Sequence, residues 1–237
     1  MKFKLQGEDM TATAVRPDPL GPLLTRITGD RKHEPSAYST LDVLWVLYDR
    51  ILRVSPETAD EPDRDRFLLS KGHGPAAYYA VLAAKGFIPA EWLDDLASST
   101  SRLGHHPDRV LIPGVEIGTG SLGHGLGLAV GTALGLRAQG YDDAHTFVLL
   151  GDAELDEGSN HEAIAYAAAT GLPLTAIVVD NRSATHGWPG GIASHFVDWS
   201  VSSVDGHDRD ALEVALRPDR RRRRPHVVVA TVAPKGF

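Results

Sequence analysis

Two unbroken apolar runs, residues 145–150 (HTFVLL) and 174–179 (LTAIVV), flank one helix-length stretch and sharply narrow the folds open to this chain. Continuous rather than alternating apolar runs are what strands buried on both faces require, and such strands occur in parallel sheets. The stretch between them, residues 157–170, places Ala163, Ile164, Ala167 and Ala168 on one helical face and is stopped by Gly171 and Pro173. Residues 145–181 therefore read as a βαβ unit.

The rest of the chain fits around that unit. Leu41, Val43, Leu44, Val46, Leu47, Ile51 and Leu52 recur at helical spacing within residues 38–54, with Ser39 or Thr40 as N-cap. Residues 67–69 form a short strand, and Gly72-His73-Gly74 turns the chain into a helix over 75–85 closed by Gly86. Residues 89–97 are helix-like, and 226–232 are a further apolar strand. In GTGSLGHGLGLAVGTALGLRAQG a Gly-rich loop becomes an apolar helix ending at Gly140. Its Gly123, Gly127, Gly131 and Gly135 leave one face nearly bare. Each Gly inside a helix costs up to ~1 kcal/mol relative to Ala, so the stripe calls for a close-packing neighbour. The expected fold is α/β: a doubly wound, mainly parallel sheet with helices on both faces. Residues 1–32 read as an N-terminal extension and 33–237 as one domain, because no linker composition interrupts the middle of the chain.

Composition removes several function classes. A net charge of −7 offers no basic surface for nucleic acid. The local exception, Arg220 to Arg224, is read as a solvated loop or as a phosphate or partner contact. No apolar run reaches the ~20 residues of a membrane helix, and the N-terminus lacks a signal-peptide core. The absence of cysteine excludes a disulfide framework and a thiol nucleophile, and fits a cytoplasmic setting.

The chemistry sits where the two central strands stop. Each ends on a polar pair, Gly151-Asp152 and Asp180-Asn181, and open α/β sheets bind ligands outside the carboxyl ends of their strands. A carboxylate beside an amide oxygen is a partial donor set for a hard cation such as Mg²⁺, which completes its octahedron with water and ligand phosphates. The amides after Asp152 suit the same anion. On spacing alone, a helix-capping Asp152 and a turn Asn181 account for the pattern equally well.

The stretch GDAELDEGSNHEAIAYAAATGLPLTAIVVDN resembles the thiamine diphosphate motif of the transketolase family, which opens GDG and closes on Asn. SKGHGPAAYYAVLAAKGF, GHHPD, GTGSLGHGLGLAVG, DGHD and VVVATVAPKGF resemble further family segments in the same order, and the spacing from His33 to Asp42 also matches. The resemblance covers nearly all of the chain after residue 30. It implies a thiamine diphosphate-binding (PP) fold, with Asp152, Asn181 and the main-chain oxygen of Ser183 ligating Mg²⁺ (or Ca²⁺). It implies that Gly151 and the amide of Ala153 face the diphosphate, that His73 contacts it or lines the channel, and that Gly120 and Leu122 touch the cofactor rings. His33 and His106 would face substrate, with His105 competing for the second role, as groups able to relay protons near neutral pH. Glu157 joins the cofactor-side residues, and Glu157 and Glu162 match acids at the family's subunit interface. His124 stands where the family often has Gln, and His186 follows the metal loop. His145, His161, His195 and His226 match nothing catalytic and read as surface or packing residues.

In the family, the glutamate that activates the cofactor lies on a pyrimidine-binding domain, and a later segment carries another active-site His. Neither is found in these 237 residues. The resemblance thus implies the diphosphate-binding subunit of a split transferase, completed by a pyrimidine-binding subunit, in a heterotetramer acting on small ketose, aldose or keto-acid substrates. Three departures are GDA for GDG, KHEPSAYS around His33, and the end at Phe237. They keep open an acyloin-forming or α-keto-acid-decarboxylating relative of specialised metabolism, or a non-catalytic partner subunit. A Rossmann-type nucleotide enzyme is the other class, but no convincing strand precedes GTGSLGHG.

Overall fold

The computed structural model describes residues 19–29, 38–184, 188–220 and 224–234. In chain order the elements are α1 (Leu20–Arg26), α2 (Leu41–Val46, continuing as a π-helical turn Leu47–Ile51), β1 (Arg66–Leu69), α3 (Ala76–Ala84), α4 (Gly125–Ala138), β2 (Thr146–Gly151), α5 (Gly158–Thr170), β3 (Leu174–Asp180), β4 (Ser200–Asp205), α6 (Arg209–Leu216) and β5 (His226–Thr231). The five strands form one sheet in the order β1-β2-β3-β5-β4, and every pairing is parallel. Residues 145–181 are the βαβ unit the two apolar runs call for.

Both faces of the sheet are covered, which is why the runs are unbroken. Phe67, Leu69, Phe147, Leu149, Ile177, Val179, Val228 and Ala230 point into a core shared with α1, α2, α3 and α6. Their chain neighbours Leu68, Val148, Leu150, Ala176, Val178, Val227 and Val229 point the other way, onto α4 and α5. Residue parity alone sorts the strands between two cores.

Three features depart from the sequence expectation. Within the stretch read as an extension, Leu20, Leu23, Leu24 and Ile27 keep the i, i+3, i+4, i+7 spacing of a helix; Leu20 and Ile27 are buried, and the other two pack on the same core. Two prolines and a glycine nearby obscure that period. Strand β4 carries the sequence SVSSVD, alternates half-buried with exposed, and lies at the sheet edge, so no apolar run announces it. The basic run is partly structural: Arg220 reaches the fully buried Asp65 carboxylate at 3.0 Å, and Arg224 donates to the Asp198 carbonyl.

Asp65 organises the amino edge of the sheet. Its carboxylate also accepts from the backbone N–H groups of Arg53 (3.0 Å) and His145 (2.9 Å). Burial by itself raises this carboxyl, but the Arg220 hydrogen bonds and the two N–H groups reverse that and hold it below the usual carboxylate range. Beside it, His145 is 5% exposed, its Nε2 pairs with Thr175 Oγ1 at 2.8 Å, and burial pushes its pKa down to about 3.

A neutral buried His gives stability that is complete above the unfolded pKa of ~6.5 and is lost as pH falls toward the folded value. Between about pH 6.5 and 4.5, unfolding takes up one extra proton at His145, a slope of ~1.4 kcal/mol per pH unit. Denaturant titrations across this window should show that slope in the parent chain and a shallower one in His145→Gln. Identical slopes would contradict the assignment.

Candidate functional site

Strand β2 ends at Gly151, opposite Val179, with the N–H of Asp152 bonded to the Val179 carbonyl at 3.1 Å, and β3 runs one residue further to Asp180. Asp152 and Asn181, the first residues past the end of each strand, thus emerge from neighbouring strands at the carboxyl edge. Both are buried, at 2% and 3% exposure. The Asp152 carboxylate accepts from the N–H and Oγ of Ser183, both at 2.6 Å, and from the N–H of Ala184 at 3.1 Å. Arg182 makes this possible: its φ of +58° folds the chain back, so that Ser183 meets Asp152. A left-handed non-glycine residue costs ~1–2 kcal/mol, and such strain concentrates at functional sites.

Asn181 is the telling group. Its Oδ1 is buried and has no hydrogen-bond partner among the described residues. A buried unpaired acceptor costs ~1–3 kcal/mol, so this oxygen is better suited to a cation than to the metal-free fold. Among the described residues no cluster of three or more His, Cys, Asp or Glu side chains suits a metal. The donor set is instead one carboxylate, one amide oxygen and main-chain groups, which leaves most of a hard cation's coordination to water and ligand phosphate. Ala153 opens the short 3-10 turn Ala153–Asp156 and is not among the residues with positive φ. Alanine therefore fits where the family motif has glycine, with no backbone strain and with its N–H retained.

The same edge collects the histidines and the Gly-rich loop. His73 follows β1, and its ring lies 5.7 Å from that of His106. His106 Nδ1 sits 3.2 Å from Thr119 Oγ1. Gly72 is required beneath them, since a Cβ there would come within 2.8 Å of both partners. Gly120 has φ +130°, and Leu122 projects from the loop, 53% exposed. Ser70, Thr119, Gly120, Ser121, His124 and Leu128 line a cavity of about 130 Å³ here. A larger hollow of about 760 Å³ lies elsewhere, among the amino-end residues His145, Thr175, Ser200 and His226 and the helix α6. That larger hollow lies at the opposite end of the sheet from Asp152 and Asn181.

Over residues 29–236 the chain matches the family model described as transketolase, thiamine diphosphate binding domain. The chain belongs to the transketolase family. It is 56% identical over 218 residues to a Rhodococcoides fascians protein named ferredoxin fas2, covering 91% of this chain and 71% of that protein. It is 36% identical to a protein of Actinobacillus succinogenes named as one subunit of apulose-4-phosphate transketolase, covering 84% of this chain and 75% of that one. The crystal structure of transketolase from Campylobacter jejuni superposes with a TM-score of 0.75 at 26% identity, over 92% of this chain but only 38% of that one. The chain thus spans well under half of a full-length transketolase. With no cysteine, its residues offer no thiolate to an iron–sulfur cluster of the kind a ferredoxin carries.

The structure brings together Asp152, Asn181, Ser183, Gly151 and Ala153 at one edge, and His73 with His106 and Gly120 beside them. Glu157 is exposed at the start of α5, with its Cβ side against Gly123. Glu162 is exposed on the same helix. His33 and His186 lie outside the described residues. Among the remaining histidines, His145 is a core residue rather than a surface one, and His161 stacks on His195 at 5.2 Å. His226 Nδ1 lies 2.8 Å from Ser200 Oγ.

Sequence reasoning gives no role to Glu154, 2% exposed, which receives Ser70 Oγ–H and the N–H groups of Gly123 and Gly151. Burial pushes its carboxyl up, against the lowering effect of those hydrogen bonds and of Lys71. The one available signal is an acid inside the GDAELDEG stretch too close to Asp152 to face solvent.

If Asn181 is kept for a ligand rather than for the fold, an apolar residue of similar size should leave the metal-free chain as stable or more so. Asn181→Leu should change the unfolding free energy by less than about 1 kcal/mol or raise it. A loss of ~2 kcal/mol or more in chemical denaturation would show that the amide is structural.

Proposed function

We propose that this chain is the diphosphate-binding subunit of a two-component, thiamine diphosphate-dependent transketolase-like enzyme that transfers a two-carbon ketol unit between sugar-like substrates. The observation that carries this reading is the buried Oδ1 of Asn181 beside Asp152, without a hydrogen-bond partner among the described residues, in a chain of the transketolase family. Asp152 and Asn181, with the main-chain oxygen of Ser183, would hold Mg²⁺, and the N–H of Ala153 would meet the diphosphate. Bound there, thiamine diphosphate supplies the electron sink for a carbanion. The chain's own part is to seat and orient the cofactor. His73 and His106, and His33 from the segment before α2, would face the substrate's oxygen functions and move protons near neutral pH.

A partner is part of the reading. Relatives that this chain largely spans are named as single subunits of a transketolase. The exposed face of α4 and α5 suits a protein neighbour: Leu128 and Tyr166 are 49% and 50% exposed, and among the described residues nothing beyond the adjoining turns of α4 itself lies within 4 Å of a Cβ built on Gly127 or Gly131. A pyrimidine-binding subunit seated there, with Glu157 and Glu162 at the contact, would supply the missing wall of the cleft and complete a heterotetramer. No helix among the described residues is long and apolar enough to cross a membrane, and a cytoplasmic setting belongs to the proposal. Acyloin formation or α-keto-acid decarboxylation is the second reading. It is favoured by the sequence KHEPSAYS around His33, and by a 56%-identical relative that bears a name other than transketolase.

Thiamine diphosphate should be titrated onto the chain mixed with its pyrimidine-binding partner, with and without Mg²⁺. Binding is expected to require Mg²⁺ and to weaken at least a hundredfold in Asp152→Ala, the loss of an anionic ligand to a hard cation. Equal affinity with and without that carboxylate would refute the site.

A further inference from the structure

One buried acid at the carboxyl edge stands outside the proposed metal ligands, and its bonds join several of the segments that meet there. Glu154 Oε1 accepts from the Gly123 N–H at 3.1 Å and from the Ser70 hydroxyl, while Oε2 accepts from the Gly151 N–H at 3.3 Å. Ser70 Oγ in turn accepts from the Gly125 N–H at 3.1 Å. One carboxylate thereby ties the end of β1, the end of β2 and two amides of the Gly-rich loop. Its own main chain is held as well, since Asn160 Nδ2 donates to the Glu154 carbonyl at 2.6 Å.

The glycines are shaped to let this knot close. A Cβ on Gly125 would fall 2.1 Å from Ser70 Oγ, and one on Gly123 would fall 2.5 Å from Glu157 Cβ, at a φ of +80°. The Gly123 carbonyl is held from the other side by Ser159 Oγ at 2.8 Å. A carboxylate at 2% exposure is a costly way to fill space that an apolar side chain would fill more cheaply. Locally unfavourable choices of this kind persist where function needs them.

We propose that Glu154 is a positioning residue, which fixes the loop bearing Gly120 and Leu122 against the strand end bearing Asp152 and so presets the distance between the cofactor's rings and its diphosphate seat. This rests on the reading of the site as a thiamine diphosphate seat. Nothing in the role requires Glu154 to touch cofactor or substrate. Its effect runs through Ser70 and through the Gly123, Gly125 and Gly151 amides.

Hydrogen–deuterium exchange on the full chain without cofactor isolates the clamp. In Glu154→Ala the amides of Gly123, Gly125 and Gly151 should exchange at least tenfold faster, while those of residues 147–149 and 175–178 stay protected. Glutamine has one acceptor oxygen where the carboxylate has two, so Glu154→Gln should keep either Gly123 or Gly151 protected, but not both. In the second arm, thiamine diphosphate with Mg²⁺ is titrated onto the same variants in complex with the partner. Affinity should fall about tenfold or more in Glu154→Ala and by less in Glu154→Gln. Unchanged exchange at Gly123 and Gly125, or faster exchange with unchanged affinity, would overturn the proposal. If Glu154→Ala loosens the whole sheet, the Gln variant decides: protection of both amides, or of neither, overturns it. A parent chain that binds no thiamine diphosphate would instead sink the underlying reading of the site, and the exchange arm separates the two failures.

Discussion

The adjacent endings of β2 and β3 are the constraint on which the site depends. Strand β2 ends at Gly151 opposite Val179 and β3 one residue later at Asp180, so the first residues past each strand, Asp152 and Asn181, leave the sheet within one residue of each other in register. Parallel pairing then brings a carboxylate and an amide together without either strand bending. The turn after β3 adds the second half of the arrangement: Arg182 takes a left-handed conformation, and Ser183 and Ala184 come back onto Asp152. Asp152 is thereby oriented by three donors, and the Asn181 oxygen is left without one among the described residues. The sheet core beneath, apolar on both faces, provides the rigidity that such a placement needs.

The two edges of the sheet contrast in chemistry. At the amino edge, Asp65 is fully compensated by Arg220 and by backbone amides, and His145 is kept neutral, an arrangement that serves stability. Among the described residues buried atoms without a partner occur at both edges, His145 Nδ1 and Thr146 Oγ1 at the amino edge and Asn181 Oδ1 at the carboxyl edge, and it is the strand-end amide oxygen beside Asp152 that suits a hard cation. The larger hollow at the amino edge is lined by His145, Thr175, Ser200 and His226 and lacks the strand-end pair Asp152 and Asn181. The face of α4 that carries Gly127 and Gly131 is exposed and open to close packing.

Much of this was legible in the residues. Unbroken apolar runs at 145–150 and 174–179 required a doubly covered parallel sheet, and the polar pairs ending them pointed to the candidate site. The alternation SVSSVD of β4 was too weak to read, because an edge strand exposed on one face needs no apolar period. Helix α1 was hidden for a different reason: Leu20, Leu23, Leu24 and Ile27 keep helical spacing, but Pro19, Gly21 and Pro22 break the surrounding pattern. Glu154 was illegible because its meaning lies in three partners from separate segments, Ser70, Gly123 and Gly151. The glycine stripe points to a packing surface, yet among the described residues only Gly123 of the four meets a neighbour closely, and Gly127 and Gly131 face open space.

The central claim is that Asp152 and Asn181 jointly hold a divalent cation that carries a diphosphate. Crystals of the chain with its partner, grown with Mn²⁺ in place of Mg²⁺ and with thiamine diphosphate, would locate that cation by anomalous scattering. The account predicts a single strong peak bonded to the Asp152 carboxylate, to Asn181 Oδ1 and to the cofactor's phosphate oxygens, absent when the cofactor is withheld. Cofactor bound with its metal elsewhere, or with the Asn181 oxygen still unpaired, would contradict it.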